Sequence, residues 1–320
     1  MKAKVQEAMD NGAFGISTGL KYVPGSFSKV DEVIALSKVA GEAGGIYTSH
    51  LREEGLGLLD AVQEAIMISR EADIPVILTH HKAIGRPMWG GSIKTLAIID
   101  SARNLGLDIM ADQYPYTASS TGISVLIPTW AMAGGTSELK KRLEDKKLRE
   151  KIIEEIMFNI EFDRGGAQLD VVQFASCVFH AINEEDVKRI MQHPMVMVAS
   201  DGALLEPGVG HPHPRGYGTF PRVLGYYVRE EGVIDLQTAL RKMTSMPADR
   251  LGLTDRGYIK EGMKADITVF NPETVIDKGT FEDPHHYPEG IDYVIVNGKL
   301  TIDQGELTKE RAGQVLRKNK

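Results

Sequence analysis

Apolar runs return at a near-constant interval along the first third of the chain, at residues 13–18, 45–50, 74–80 and 107–112. The segments between them are polar with apolar residues at helical spacing. Residues 30–43 place Val33, Ile34, Leu36, Val39 and Ala40 on one face, and 58–72 do so with Leu58, Ala61, Val62, Ala65, Ile66 and Ile68. Residues 93–106 repeat the pattern with Leu96, Ile99, Ala102 and Leu105. Recurrence at i, i+3 and i+4 predicts amphipathic helices, and the short apolar runs predict buried strands. Strand and helix alternating with a period of about thirty residues give parallel strands joined by right-handed crossovers, in an open doubly wound sheet or a closed barrel. No Gly-rich phosphate loop follows a strand, which weighs against the nucleotide-binding version.

After Asp112 the period breaks. Residues 117–180 hold a Thr/Ser-rich stretch, the segment 127–130, a charged helix over 137–159 and an apolar run at 169–175. An excursion of this length reads as an insertion over the strand ends, a lid or binding element, with 169–175 as an alternative barrel strand. A helix over 184–192 then leads into the run 195–200, which ends at Asp201. From 256 onward short β runs at 265–270 and 293–296 alternate with turns, including the hairpin signal Asn297-Gly298. The expected organisation is an α/β domain over 1–252 with the insertion at 117–180, a small β domain over 253–306, and a charged tail or helix over 307–320.

Composition narrows the function. With 320 residues, 42% hydrophobic and 25% charged, the chain has enough material for one large core and a satellite. A formal net charge of −7 argues against nucleic acid or an anionic membrane as partner, so a small-molecule substrate fits better. A lone cysteine, Cys177, allows no internal disulfide and is expected to be a buried, inert thiol. No apolar stretch has the length of a signal or membrane segment, so cytoplasmic residence is expected.

The candidate chemistry sits at the ends of the apolar runs. His50 and His80 each close one, at the strand-end position where (β/α) barrels carry catalytic groups. Their separation of about thirty residues matches one strand, one crossover helix and two loops, so the pair can share a metal on neighbouring strands. Asp201 ends a run in the same way. Zinc binds imidazole nitrogen and carboxylate oxygen and keeps a position open for water, whose proton Asp201 can take and later deliver to a leaving nitrogen. The plainer alternative is that each histidine closes a local hydrogen bond. His81 should point away from His80, because strand neighbours face opposite sides. His211 and His213 lie among prolines with no strand leading into them, His285 and His286 read as surface residues of a Pro-rich loop, and Trp89 either lines a pocket or packs.

Several motifs together carry a family resemblance. They are Gly12-Ala13-Phe14-Gly15-Ile16-Ser17-Thr18-Gly19-Leu20 with Tyr22 and Pro24-Gly25, Ser49-His50-Leu51-Arg52, Thr79-His80-His81-Lys82, Asp112-Gln113-Tyr114-Pro115-Tyr116 and Ser200-Asp201-Gly202. The stretches His213 to Arg222 and Arg241-Lys242-Met243-Thr244-Ser245 belong with them. Over nearly its whole length the chain resembles the N-acyl-D-amino-acid deacylases (D-aminoacylases) of the amidohydrolase superfamily. The resemblance implies a partial (β/α)8 TIM-barrel-like domain, about strands 4–8, with a small C-terminal β domain. It implies zinc, one or two ions in the complete family enzyme, held by His50, His80 and Asp201, with Asp201 also the catalytic acid/base. Lys82, Tyr114, Arg215 and a serine of Ser119-Ser120 would hold the substrate carboxylate, a role for which Arg offers a fork and Lys a point charge. Tyr114 could instead polarise the scissile carbonyl.

Family members begin with a strand ending in His-x-His, followed by a strand with a metal-bridging cysteine. Met1 precedes what corresponds to the fourth strand, so the expectation is a chain without those ligands, since neither Cys177 nor His211-x-His213 matches them. Open sheet edges would then be covered by self-association or by an N-terminal partner. The implied activity is hydrolysis of N-acyl-D-amino acids. The alternatives are another amide or cyclic-amide hydrolase, of hydantoinase or dihydroorotase type, or a non-catalytic fragment or subunit that needs the N-terminal part.

Overall fold

The computed structural model describes residues 1–164, 168–172, 176–204 and 206–318. They form two compact units: Met1–Met9, Gly15–Ala111 and Tyr116–His193 in the first, Asp10–Phe14, Asp112–Pro115 and Pro194–Lys320 in the second.

The first unit opens with α1 (Lys2–Asp10) and then alternates β1 (Gly15–Gly19), α2 (Val30–Glu42), β2 (Ile46–His50), α3 (Leu58–Ala72), β3 (Val76–Leu78), α4 (Ser92–Asn104) and β4 (Ile109–Gln113). Neighbouring strands pair in parallel and in sequence order, with Gly15 opposite Ile46, Tyr47 opposite Val76 and Val76 opposite Ile109. Gly15 makes the first pairing possible, because a Cβ there would collide with the Ile46 carbonyl. All three residues of β3 are buried, as expected of a parallel strand covered on both faces. The α3 face bearing Leu58, Ala61, Val62, Ala65 and Ile68 is buried in register with the helical repeat.

Capping of α4 comes from a distant residue. Gly91 has no side chain to offer, and Asp186 supplies one from α8 (Glu184–Gln192). Its fully buried carboxylate accepts from Gly90 N at 2.7 Å, Ser92 N at 3.3 Å, Ser92 Oγ at 2.5 Å and Arg189 Nη1 at 3.1 Å. Open N–H groups at the helix start thereby gain a charged acceptor at the positive end of the dipole.

Between β4 and α8 the structure departs from the sequence expectation in two places. The charged helix over 137–159 is two helices, α6 (Thr136–Glu144) and α7 (Lys146–Phe158), preceded by the short α5 (Thr129–Met132) and followed by a wide turn at Asn159–Asp163. Asp145 breaks the run: its backbone is extended and its carboxylate caps Leu148 N at 3.0 Å. An aspartate can bond the backbone locally in a way that competes with helix propagation, which the charge pattern does not reveal. The described part of the apolar run 169–175, residues 169–172, is not a strand of the parallel sheet. These residues lie in β6 (Gln168–Val172), which pairs antiparallel with β7 (Ser176–His180), and β7 pairs antiparallel with β5 (Ser119–Gly122). Residues 173–175 lie outside the described residues. Cys177, on β7, is buried with Leu126 and Phe179, and burial pushes its thiol pKa up.

In the second unit β8 (Val196–Val198) lies beside the end of β4, where Ala199 N–H donates to the Gln113 carbonyl at 2.9 Å; this is the fifth strand of the sheet. Three helices follow, α9 (Arg215–Arg222), α10 (Leu236–Met243) and α11 (Ser245–Arg250). The four strands β9 (Ile267–Phe270), β10 (Ile291–Val296), β11 (Lys299–Asp303) and β12 (Glu306–Leu307) form an antiparallel meander in the order β12-β11-β10-β9. Asn297 and Gly298, both at positive φ, make the tight β10–β11 turn. Residues 309–318 form a tail and not a helix, tied down where Lys318 N donates to Gly12 O and Arg317 to Asn11 O. Among the described residues no helix is long and apolar enough to cross a membrane.

Two stability measurements test this account. Asp186→Ala should lower the unfolding free energy by about 2–4 kcal/mol in chemical denaturation, since buried N–H donors lose a charged acceptor, and Asp186→Asn should cost less. Lys242 is 1% exposed with its Nζ on the Val196 carbonyl at 2.7 Å, and burial pushes its pKa down to about 8. Between that value and the ordinary lysine range the unfolded chain binds more protons, so stability gains from this group as pH rises. The stability difference between the wild type and Lys242→Met should therefore shift toward the wild type by about 2 kcal/mol between roughly pH 7.5 and 9.5.

Candidate metal centre

The parallel register brings the ends of β2 and β3 to within one residue of each other, because Ser49 stands opposite Leu78, the last residue of β3, and β2 runs on only to His50, opposite Gly19 of β1. Alternation along β2 buries Tyr47 and Ser49 and turns His50 to the other side. After Leu78 the chain makes a tight turn in which His80 adopts φ 42°, in the left-handed region. A non-glycine residue held there is mildly strained, a cost of order 1 kcal/mol, and the surrounding contacts must offset it. The turn sends the His80 ring toward His50 and the His81 ring elsewhere, to Thr95 Oγ1 at 2.8 Å. Strand alternation is not the reason the two point apart, since the strand has already ended. Burial pushes the His81 pKa down to about 4.

His50 Nδ1 and His80 Nε2 face one another at 2.8 Å with their rings in an edge-on arrangement, and the Tyr22 ring packs against His50 at 4.6 Å. Burial holds His50 neutral at ordinary pH, with its pKa pushed down to about 3 despite the nearby Glu54 charge. Beside the pair lies Glu54, only 6% exposed. Its Oε1 is 3.1 Å from His80 Nδ1 and 2.5 Å from Lys82 Nζ, and its Oε2 is 3.6 Å from His50 Nε2. Burial opposes ionisation of Glu54, but Lys82 and the two imidazoles outweigh it and hold the carboxyl well below the usual carboxylate range. Lys82, itself 5% exposed, also reaches the His80 carbonyl at 2.9 Å and His80 Nδ1 at 2.8 Å.

Sequence reasoning missed Glu54. The available signal was a carboxylate four residues after His50, in His50-Leu51-Arg52-Glu53-Glu54, but nothing in the sequence separates the two glutamates. In the fold Glu53 turns out to Lys21 at 2.6 Å, Arg52 clasps Glu64 through two nitrogens, and Glu54 turns in. The following Gly55 is required, because a side chain there would collide with the Asp163 carboxylate.

The remaining predicted residues fall in separate places. Ser119 and Ser120 lie on β5 in the first unit, Ser119 buried with a hydroxyl that has no hydrogen-bond partner. In the second unit Asp201, also in the left-handed region at φ 48°, is ion-paired with Arg215 at 2.8 Å. The Arg215 guanidinium stacks over the Tyr114 ring at 4.7 Å, and its backbone N–H donates to His213 Nδ1 at 3.0 Å. Gly202 packs closely on Gly216, leaving little room for a side chain on the turn after Asp201.

His211 Nε2 donates to the Phe281 carbonyl at 2.6 Å. His285 is no idle surface residue: its Nδ1 receives Tyr217 Oη at 2.9 Å and Gly208 N at 3.2 Å while its Nε2 meets the Gly210 carbonyl at 2.9 Å, so it ties a loop down. His286 stays exposed beside Asp283. Trp89 donates to the Ala181 carbonyl at 3.0 Å with its ring partly exposed.

His50, Glu54 and His80 bring one donor atom each within 4.8 Å of one another, the one such group of three among the described residues. His50 Nε2 is buried without a hydrogen-bond partner. Two imidazoles beside a buried carboxylate suit a divalent cation of borderline softness such as zinc.

A sequence profile of the amidohydrolase family matches residues 151–302. Over 319 residues the chain is 38% identical to a D-aminoacylase of Alcaligenes xylosoxydans xylosoxydans, covering 99% of this chain and 64% of that protein. The chain is thus similar to amidohydrolases along nearly its whole length. Among solved amidohydrolases, the crystal structure of a D-aminoacylase superposes with a TM-score of 0.81 at 35% identity, over 99% of this chain and 65% of the other. An N-acyl-D-glutamate deacylase from Bordetella bronchiseptica, solved with zinc and a phosphonate mimic of the tetrahedral intermediate, gives 0.80 at 35% identity, over 99% and 65%. The chain thus spans just under two thirds of the length of these relatives. The five-stranded parallel sheet is the part of the amidohydrolase barrel it carries.

Proposed function

We propose that this amidohydrolase chain carries the catalytic half of a zinc-dependent deacylase, which hydrolyses the amide bond of N-acyl-D-amino acids to a carboxylate and a D-amino acid. The observation that carries the reading is the pair of imidazole nitrogens 2.8 Å apart at the ends of β2 and β3. Similarity to D-aminoacylases over 99% of the chain supports it. In this reading His50 and His80 would hold the metal, and Asp201 would be a further ligand. When bound, zinc polarises the scissile carbonyl and makes water acidic enough to lose a proton near neutral pH. Asp201 takes that proton and passes it to the leaving nitrogen as the C–N bond breaks.

Substrate recognition in this reading falls to the carboxylate that every N-acyl amino acid carries. Arg215, stacked over Tyr114, would offer it a two-pronged fork once the substrate carboxylate takes the place of Asp201, which the guanidinium now holds. Ser119 and Ser120 add hydroxyl donors. Lys82 enters differently from the sequence expectation, because its ammonium is already engaged by Glu54 and the His80 carbonyl. Its charge then acts on the metal side of the site.

Purified protein assayed for bound zinc and for release of D-amino acids from N-acetyl-D- and N-acetyl-L-amino acids tests the reading. Wild type should retain zinc, and His50→Ala and His80→Ala should each lose it, together with turnover. Absence of zinc uptake by the wild type, or equal turnover of hydantoins and N-acyl-D-amino acids, would sink it.

A further inference from the structure

Resting on the zinc reading of His50 and His80, we infer that Glu54 is a positioning residue that sets the tautomer and orientation of both imidazoles. A histidine that offers one ring nitrogen to a cation carries its proton on the other, and a partner for that proton fixes the ring. The nitrogens that converge are His50 Nδ1 and His80 Nε2. The protons therefore belong on His50 Nε2 and His80 Nδ1; Glu54 stands within hydrogen-bonding distance of the second and within ion-pair distance of the first. Glu54 Oε1 is 3.1 Å from His80 Nδ1, and Glu54 Oε2 is 3.6 Å from His50 Nε2, which has no hydrogen-bond partner of its own. The bidentate shape of a carboxylate allows this double duty, whereas an amide offers only one acceptor oxygen.

The surroundings hold Glu54 to that task. Its carbonyl accepts from Ile84 N at 2.8 Å, fastening the loop to the segment just after Lys82. Gly55 lets the chain pass close to Asp163, and Lys82 compensates the buried charge at 2.5 Å. Lys82 also lies 2.8 Å from His80 Nδ1, where an ammonium donor would demand the opposite tautomer. On this inference a cation at Nε2 would place the proton on Nδ1 and give that contact to Glu54, with Lys82 held by the carboxylate and the His80 carbonyl.

The test uses the full chain and zinc alone. Truncating Glu54 singly would strand a buried lysine, so the informative variants are Glu54→Asp, which keeps the charge but withdraws the oxygens by one methylene, and the pair Glu54→Gln with Lys82→Met, which removes both charges together. Zinc affinity from chelator competition should fall about 10–100-fold in both, with melting temperatures near wild type. Long-range nitrogen-15 spectra of histidine-labelled, zinc-loaded wild type should show His80 protonated at Nδ1 and His50 at Nε2, an assignment the double variant loses. If wild type binds zinc and the double variant binds it equally well, or if the wild-type tautomers are reversed, the inference is overturned while the zinc reading stands. A wild type that takes up no zinc overturns both.

Discussion

The parallel register of β2 on β3 is the constraint on which the site depends. It sets Ser49 opposite Leu78, so that two strands separated by a whole crossover helix end within one residue of each other. The register is held from below by burial: Tyr47, Val76 and Leu78 are sealed into the core, and a one-residue slip of β2 would exchange its buried Tyr47 and Ser49 with the half-buried Thr48 and His50. Catalytic barrels place chemistry at the strand ends for this reason, since the scaffold is rigid where the loops are free to vary.

Once two imidazoles meet at such a rim, electrostatics decides what can stand beside them. Glu54 is a buried carboxylate, and an uncompensated charge there would cost several kcal/mol. Lys82 and the histidine N–H groups repay that cost locally, so the cluster is close to neutral and closed to stray partners. The chain keeps a buried acid, a buried base and two imidazoles in one place, where a core built for stability alone would hold apolar side chains.

Backbone strain falls in the same places. Among the described residues five non-glycines have positive φ: Asp73, His80, Asp201, Asn297 and Gln304. Asp73 ends a helix, and Asn297 and Gln304 each precede a glycine in a hairpin turn. These three follow ordinary cap and turn chemistry. His80 and Asp201 instead lie just past strand ends and carry the ring and carboxylate groups proposed above for the site, as expected where geometry is held against local preference.

Much of this was legible in the sequence because the signals were local. The helical period located α2, α3 and α4, apolar runs located β1 to β4, and Asn297-Gly298 marked its hairpin. His50 and His80 could be paired because one strand-helix unit has a nearly fixed length. Tertiary structure alone decided the rest. Asp186 capping α4, Glu54 rather than Glu53 turning inward, and the split between His80 and His81 all depend on partners distant in sequence or on a single φ angle. The antiparallel pairing of β6 was equally hidden, since an apolar run does not say which strand it will join. Periodicity reports which side of an element is buried; which polar group meets which is fixed only when the elements pack, because hydrogen bonds and ion pairs act over a few ångströms between residues the sequence holds far apart.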